Sequence, residues 1–196
     1  MTVQFLLIVR ESLRPGSESA YDENERMLAA ACATLNCPHP YLALTPIDRP
    51  REVWWLNAYR SAEERDSVGG AYARNEPLMA ALVPLGKRKE EFRETLSTTT
   101  TTYRPDLSAG TGLRITGARF LIVSSSKETS SAAIFESPDG ELFRIASAPS
   151  RAVADEIAAQ SGSGATILAI QPQWTFPAED WVHADPDFWK SSPPRQ

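Results

Sequence analysis

The chain has 196 residues, of which 42% are hydrophobic and 23% charged, and this composition is typical of a globular protein. That length is enough for one large hydrophobic core or for two smaller fused cores. The formal net charge is −5, and the one short basic run, Lys87–Lys89, is followed at once by two glutamates, so we expect no nucleic-acid partner.

Two further features concern the compartment and metal binding. The apolar run over residues 5–9 is bounded by charged residues and is too short for a signal peptide or a membrane span. We therefore expect a cytoplasmic protein with no membrane partner. Cys32 and Cys37 are too few for a disulfide framework and lack the paired spacing of a metal site, so we predict no metal and two ordinary thiols.

Strands and helices alternate in the first half of the chain. Ser61 and Glu64 have the spacing of a capping box, which begins a helix, and Asn75 with Pro77 predicts a fresh helix start after a break near residues 70–76. Residues 86–95 have the charges of an exposed helix but no clear boundary. The other predicted elements are a strand at 4–10, a helix at 17–35, strands at 41–47 and 51–60 that pair as a hairpin, and a strand at 96–103.

The strand at 51–60 is aromatic on both sides, and its alternation divides it into two faces. One face is entirely apolar and is expected to lie under helices: Trp54, Leu56 and Ala58. The other face places an amide and a phenol between bulky apolar groups and is expected to form a pocket wall: Val53, Trp55, Asn57 and Tyr59. The same pattern also fits a purely structural interior in which neighbouring backbone groups satisfy the amide.

The second half repeats part of the first. Phe120–Val123 echoes Phe5–Ile8 at an offset of 115, and Glu141–Ile145 echoes Glu52–Leu56 at an offset of 89. The difference, 115 − 89 = 26 residues, is the length of one helix with its connections, so the second copy is expected to lack the first helix. The polar stretch 124–131 stands in its place. The predicted elements are strands at 132–136 and 141–146 joined by a tight turn, a helix from Ser150 to about residue 160, and a strand at 165–170.

These elements divide the chain into four parts. We predict a ferredoxin-like β-α-β-β-α-β module over residues 1–104, a linker over 105–117, a reduced β-β-β-α-β module over 118–172, and an aromatic, proline-rich tail over 173–196. The tail lacks periodicity and is expected either to strap a barrel seam or to act as a lid that carries His183 as a base.

A β-α-β-β-α-β unit followed by a reduced copy resembles the modules of the dimeric α/β-barrel superfamily, in which two sheets enclose a cavity. The stretch from Val53 to Tyr59, followed by Ser61 and a helical region to Leu82, also resembles NIPSNAP-like and antibiotic-biosynthesis-monooxygenase-like members. The resemblance implies an α+β fold of two ferredoxin-like antiparallel-sheet modules, the second without its first helix, that together form an α/β barrel. It also makes a homodimer a possible assembly.

Members of this superfamily include cofactor-free monooxygenases, haem-degrading enzymes and isomerases, so the fold alone does not select a reaction. Our first hypothesis is a protein that binds a small apolar or aromatic molecule in the barrel cavity through Trp55, Asn57 and Tyr59, without a cofactor. The alternatives are a cofactor-independent monooxygenase or isomerase acting on a small aromatic or quinol-like substrate with the same residues, and an assembly protein whose barrel is filled. No catalytic residue is assigned.

Three other groups are weighed against ordinary structural roles. A haem-degrading enzyme needs a histidine ligand on a helix, whereas His39 lies between two prolines and His183 lies in the tail. Tyr103 and Arg104, at the end of a strand, could bind a carboxylate, although an arginine at such a position is usually solvated. We expect both histidines to be ordinary surface or partly buried residues and this arginine to be solvated.

Overall fold

The computed structural model describes residues 3–109, 112–125, 132–162 and 164–194. The first half consists of β1 (Phe5–Leu13), α1 (Glu18–Thr34), β2 (Leu42–Pro46), β3 (Glu52–Tyr59), α2 (Ala62–Arg74), α3 (Glu76–Phe92) and β4 (Arg93–Tyr103). Its strands are antiparallel and stand in the order β4-β1-β3-β2. The predicted β-α-β-β-α-β order is confirmed, with its second helix in two pieces.

The second half has the same strand order as the first. It consists of β5 (Phe120–Ser124), β6 (Ala133–Glu136), β7 (Leu142–Ala148), α4 (Arg151–Gln160) and β8 (Thr166–Ile170). The order β8-β5-β7-β6 matches β4-β1-β3-β2 strand for strand. Between β5 and β6 the described residues form no helix, and residues 126–131 of the predicted polar stretch lie outside the described part of the chain.

The two sheets join at both edges and close a barrel of eight strands. At one seam β2 pairs with β8, with Leu44 opposite Ile170; at the other β4 pairs with β6, with Tyr103 opposite Phe135. The predicted fold class is therefore confirmed. The division of the chain at residues 104, 117 and 172 stays a prediction, because strand pairing continues across both halves.

Side chains from both halves fill the barrel and form its main hydrophobic core. Leu6, Leu121, Phe135 and Leu168 are fully buried there. Burying one such side chain stabilises the folded state by about 1.5–3 kcal/mol, so a core shared in this way holds the two sheets together.

The predicted faces of β3 are reversed. Trp54 and Leu56 belong to the barrel core, whereas Trp55 and Val53 pack outside the barrel wall in a separate cluster with Tyr21 of α1. The prediction that the first set lies under helices is therefore wrong. Both faces of this strand are covered, one by the opposite sheet and the other by helices, so both sets are apolar and alternation cannot distinguish them.

The breaks around α2 and α3 follow from their capping residues. The Ser61 hydroxyl accepts a hydrogen bond from the Glu64 N–H at 3.1 Å, and the Glu64 carboxylate accepts one from the Arg60 N–H at 2.5 Å. The Asn75 side chain accepts from the Leu78 N–H at 3.2 Å and so begins α3. The predicted helix start and the break before it are confirmed, and α3 continues to Phe92, where β4 follows directly.

The tail is ordered and closes one end of the barrel. It contains a 3₁₀ turn (Pro172–Trp174) and two short helices, α5 (Glu179–Ala184) and α6 (Pro186–Trp189). Trp181 and Trp189 are buried in the main core, and Phe176 forms a strand bridge with Tyr41. These contacts favour the strap over the lid. Among the described helices, none has the length and apolar character that crossing a membrane requires.

Candidate ligand-binding cleft

An open cleft of about 280 Å³ lies outside the barrel wall, between the outer face of β1 and β3 and the helices that cover it. Two of the three predicted ligand-binding residues, Trp55 and Asn57, line it. The other lining residues are Val9 and Glu11 of β1, Glu25, Leu28 and Cys32 of α1, Tyr41, Tyr72 of α2, and Leu82 and Lys89 of α3. The predicted pocket wall therefore faces a cleft under the helices and not the barrel interior.

A buried carboxylate, Glu11, is the centre of the polar contacts beneath the cleft. Its Oε2 accepts hydrogen bonds from the Tyr21 hydroxyl at 2.6 Å and from the Trp55 indole N–H at 3.2 Å. Two cations also reach it, with Lys89 Nζ at 3.1 Å and Arg93 at 3.3 Å. A carboxylate that is 3% exposed is tolerated only with such partners, and they hold the indole of Trp55 in one orientation.

Lys89 bridges this carboxylate to a second one. Its Nζ lies 3.2 Å from Oε1 of Glu25 and 4.1 Å from the centre of the Trp55 ring, a cation–π distance. Glu25 is 1% exposed. Burial raises the pKa of Glu25 to about 7 against the opposing effect of Lys89, so this carboxyl can exchange a proton near neutral pH.

Aromatic groups and one amide form the rest of the cleft. The Tyr41 ring meets the Trp55 ring edge-on at 5.8 Å, and burial raises the pKa of the Tyr41 phenol well above its usual value. Asn57 is half-buried. Among the hydrogen bonds of residues 3–109 and the other described ranges, none involves its side-chain amide.

Tyr59, the third predicted ligand-binding residue, is not among the residues that line the cleft. Its ring stacks on the imidazole of His39 at 4.5 Å with the planes 10° apart. Trp55 and Asn57 are thus together, whereas Tyr59 lies beside a different cavity at the end of the barrel. That Tyr59 contacts a ligand stays a prediction.

The residues that sequence reasoning missed are charged groups on buried helix faces. In α1 the positions of Tyr21, Glu25, Leu28 and Cys32 are spaced four, three and four residues apart, which is one helix face. In α3, Leu78, Leu82 and Lys89 follow the same spacing. The signal available in the sequence was a glutamate, Glu25, and a lysine, Lys89, at positions where the helix pattern predicts burial. Charged side chains are rarely buried unless they can pair, so these two were candidates for an ion pair.

The other groups weighed from the sequence have structural surroundings. His183 is exposed on α5, and its Nδ1 lies 2.9 Å from the Glu179 carbonyl oxygen. Arg104 forms ion pairs with Asp106 and Glu136. No histidine lines the cleft, so its residues do not fit a histidine-ligated haem. The described residues contain no cluster of three or more His, Cys, Asp or Glu side chains suited to a metal ion.

Comparison with known proteins rests on structure. No family model and no curated protein matches the sequence. A proposed monooxygenase from Lactobacillus acidophilus superposes with a TM-score of 0.51 at 6% identity, over 86% of this chain and 94% of its own. A NIPSNAP family protein from Agrobacterium tumefaciens gives 0.39 at 15% identity over 52% and 94%, and a proposed chlorite dismutase gives 0.49 at 10% identity over 92% and 98%.

The likeness to the Lactobacillus acidophilus structure shows the fold alone, an α/β barrel of eight antiparallel strands. In this chain both sheets of the α/β barrel come from one polypeptide, because β5–β8 supply the second set of strands. At such low identity the likeness concerns the fold and carries no activity with it.

Proposed function

We propose that this α/β barrel binds a small, planar, largely apolar molecule in the cleft formed by Trp55, Asn57 and Tyr41. The site differs in position from the sequence hypothesis, since Trp55 and Asn57 line a cleft under the helices. A few placed polar groups among aromatic walls are typical of small-molecule sites.

The observation that carries this proposal is the Asn57 amide. It lines the cleft, is half-buried, and has no protein hydrogen-bond partner in the described part of the chain. An amide that is open to the cleft can donate its N–H to a ligand carbonyl. Trp55 is held by Glu11 and needs no rearrangement to pack against a ring.

The matched pair 9-fluorenone and fluorene tests this proposal, because the two differ by one carbonyl oxygen. We expect fluorenone to bind about fivefold more tightly than fluorene, as one net hydrogen bond of about 1 kcal/mol implies. Binding is followed by Trp fluorescence and by the rise in melting temperature. In Asn57→Leu the two ligands should bind equally, whereas Gln160→Leu, which alters an exposed amide on α4, should keep the preference. Equal binding of both ligands to the wild type would refute the role of Asn57.

A second candidate function is a cofactor-independent oxygenase, and the observation that favours it is Glu25. A carboxyl with a pKa of about 7 in the wall of the cleft is suited to general-base chemistry at neutral pH. It could take a proton from a carbon acid that is conjugated with a carbonyl. With anthrone, the carbanion would reduce O₂, the peroxide would form at the same carbon, and loss of water would give anthraquinone.

Oxygen uptake with anthrone separates the two functions. An oxygenase consumes one O₂ for each anthraquinone formed, and Glu25→Gln slows uptake while leaving the binding of 9-fluorenone unchanged. A binding protein binds fluorenone and shows no uptake above the buffer rate. Uptake that is the same in wild type and Glu25→Gln would exclude Glu25 as the base.

A further inference from the structure

A small cavity of about 150 Å³ opens at the end of the barrel opposite to the end that the tail closes. Arg10 lies two residues beyond Ile8 of the main core on β1, so its side chain points toward the barrel interior. Trp54 and Phe143 reach the cavity from β3 and β7. None of the described residues of the Asn57 cleft lines this cavity, so the two are separate.

The Arg10 guanidinium is a cation without a protein acceptor. Its Cζ lies 4.1 Å from the centre of the Trp54 ring and 5.3 Å from the centre of the Phe143 ring, both cation–π distances. Its side chain forms no hydrogen bond and no ion pair with the rest of the described chain. Nε is buried out of reach of a ligand, whereas the two terminal nitrogens are not buried. The rings therefore hold the guanidinium in place while the N–H groups of its terminal nitrogens stay available.

The carboxylates near the cavity leave Arg10 unneutralised. Both oxygens of Glu52 are engaged, one by the Trp54 indole N–H at 2.5 Å and the other by Arg49 at 2.7 Å. Glu141 lines the cavity, but it is exposed to solvent. Burial lowers the pKa of Arg10 from its ordinary 12.5, against the opposing effects of Glu141 and Glu52. An arginine stays charged at neutral pH even so, and a half-buried cation without a partner favours an anionic ligand.

The charges and donors of the lining suit a singly charged carboxylate. Since Arg49 is paired with Glu52, Arg10 supplies one uncompensated positive charge, which a dianion would exceed. A guanidinium can meet a carboxylate with two parallel N–H···O bonds. Thr166 adds a donor, because its hydroxyl oxygen accepts from Arg49 at 3.0 Å and its O–H can point to a ligand.

The size and the apolar part of the lining limit the rest of the ligand. A cavity of about 150 Å³ is large enough for one benzene ring. Val123 and Leu142 provide apolar surface beside the charged groups. A molecule with one ring and one carboxylate therefore matches the volume, the charge and the donors together.

We propose that this barrel mouth is a second binding site, for a small aromatic monocarboxylate whose oxygens accept from the terminal nitrogens of Arg10. Its ring packs against Val123 and Leu142. Trp54 and Phe143 are positioning residues, because they hold the guanidinium and leave its edge to the ligand. This site does not depend on the function of the Asn57 cleft.

Benzoate and benzamide test the charge, because the two have nearly the same shape and only benzoate is an anion. We expect the wild type to bind benzoate about tenfold more tightly, or about 1.4 kcal/mol, which a hydrogen bond to a charged group can supply. Binding is measured by calorimetry and by the indole N–H signal of Trp54, assigned with Trp54→Phe. In Arg10→Met, which keeps the length of the side chain and removes the charge, the preference should vanish. The matched control Arg51→Met removes an exposed arginine just before β3, outside the lining, and should keep it.

Two further readouts separate this site from the cleft and from misfolding. Asn57→Leu should leave the preference for benzoate unchanged. Benzoate should raise the urea midpoint of the wild type and leave that of Arg10→Met unchanged; if Arg10→Met does not fold, Arg10→Gln is used with the same expectation.

Four results would overturn the proposal. They are equal binding of benzoate and benzamide to the wild type, a preference for benzoate that survives in Arg10→Met, a preference lost in Asn57→Leu, and tighter binding of inorganic phosphate than of benzoate. The last result would mean that the mouth takes a phosphate instead of a carboxylate.

Discussion

Replacing Glu25 by glutamine should make the protein less sensitive to pH. Glu25 is fully buried, and burial raises its pKa from the ordinary 4.5 to about 7. A folded-state pKa above the unfolded one means that the folded state binds the proton more tightly, so stability falls as pH rises from 4.5 to 7. Glutamine has nearly the same shape and does not titrate. Lys89 keeps its contact with Glu11 in this variant.

The magnitude follows from the interval between the two pKa values. From 4.5 to about 7, at about 1.4 kcal/mol for each pH unit, the wild type loses about 3 kcal/mol of unfolding free energy through this group. The loss is absent below pH 4.5 and complete above pH 7. Relative to the wild type, Glu25→Gln should therefore gain stability between pH 5 and pH 8.

Urea denaturation followed by Trp fluorescence, at steps between pH 5 and 8, measures this gain. The difference in unfolding free energy between variant and wild type should grow by about 2–3 kcal/mol across this pH range, because all other titrating groups contribute equally in both proteins. Glu23→Gln is the matched control on the same helix, since the Glu23 side chain is 67% exposed, and it should change nothing. If the two curves for Glu25→Gln and wild type run parallel, the carboxyl is not desolvated as described.

Two further predictions concern the helix break and the shared core. Asn75→Ala should destabilise the protein by about 1–2 kcal/mol in urea, since the side chain caps α3 and also donates to the Leu35 carbonyl at 2.8 Å; an unchanged midpoint would mean that the cap contributes nothing. Phe135→Ala should cost about 3–5 kcal/mol as a single transition, because this fully buried ring joins both halves. The control is Leu96→Ala, at a residue that is 49% exposed, and this change should cost less than about 0.5 kcal/mol. Two separate unfolding transitions in Phe135→Ala would contradict a core shared by both halves.

Local chemistry made two helix starts and one hairpin turn predictable. Ser61 and Asn75 mark helix starts because their side chains satisfy backbone N–H groups that no helical residue can satisfy. The turn over residues 137–140 needs a residue with positive φ, and Gly140 adopts φ 86°. Such signals depend on neighbours in sequence, so no tertiary information is needed to recognise them.

The candidate site was only partly predictable. Alternation correctly placed Trp55 and Asn57 on one face, and the structure brings both to one cleft. It could not say which face of β3 looks into the barrel, because the opposite sheet and the helices are equally apolar coverings. Nor could it find the pairing of Glu11 with Lys89, which lie far apart in the chain and meet only when α3 packs on the sheet.

The sequence by itself determined the order of strands and helices and the starts of several helices, since periodicity, repeats and capping are local properties of the chain. Tertiary structure alone decided that Trp54 and Leu56 point into the barrel core, that the cleft of Trp55 and Asn57 lies on the other side of the strand, and that Glu25 and His39 are buried. The physical reason is that burial and charge pairing depend on which distant surfaces meet, and that is set by closure of the two sheets.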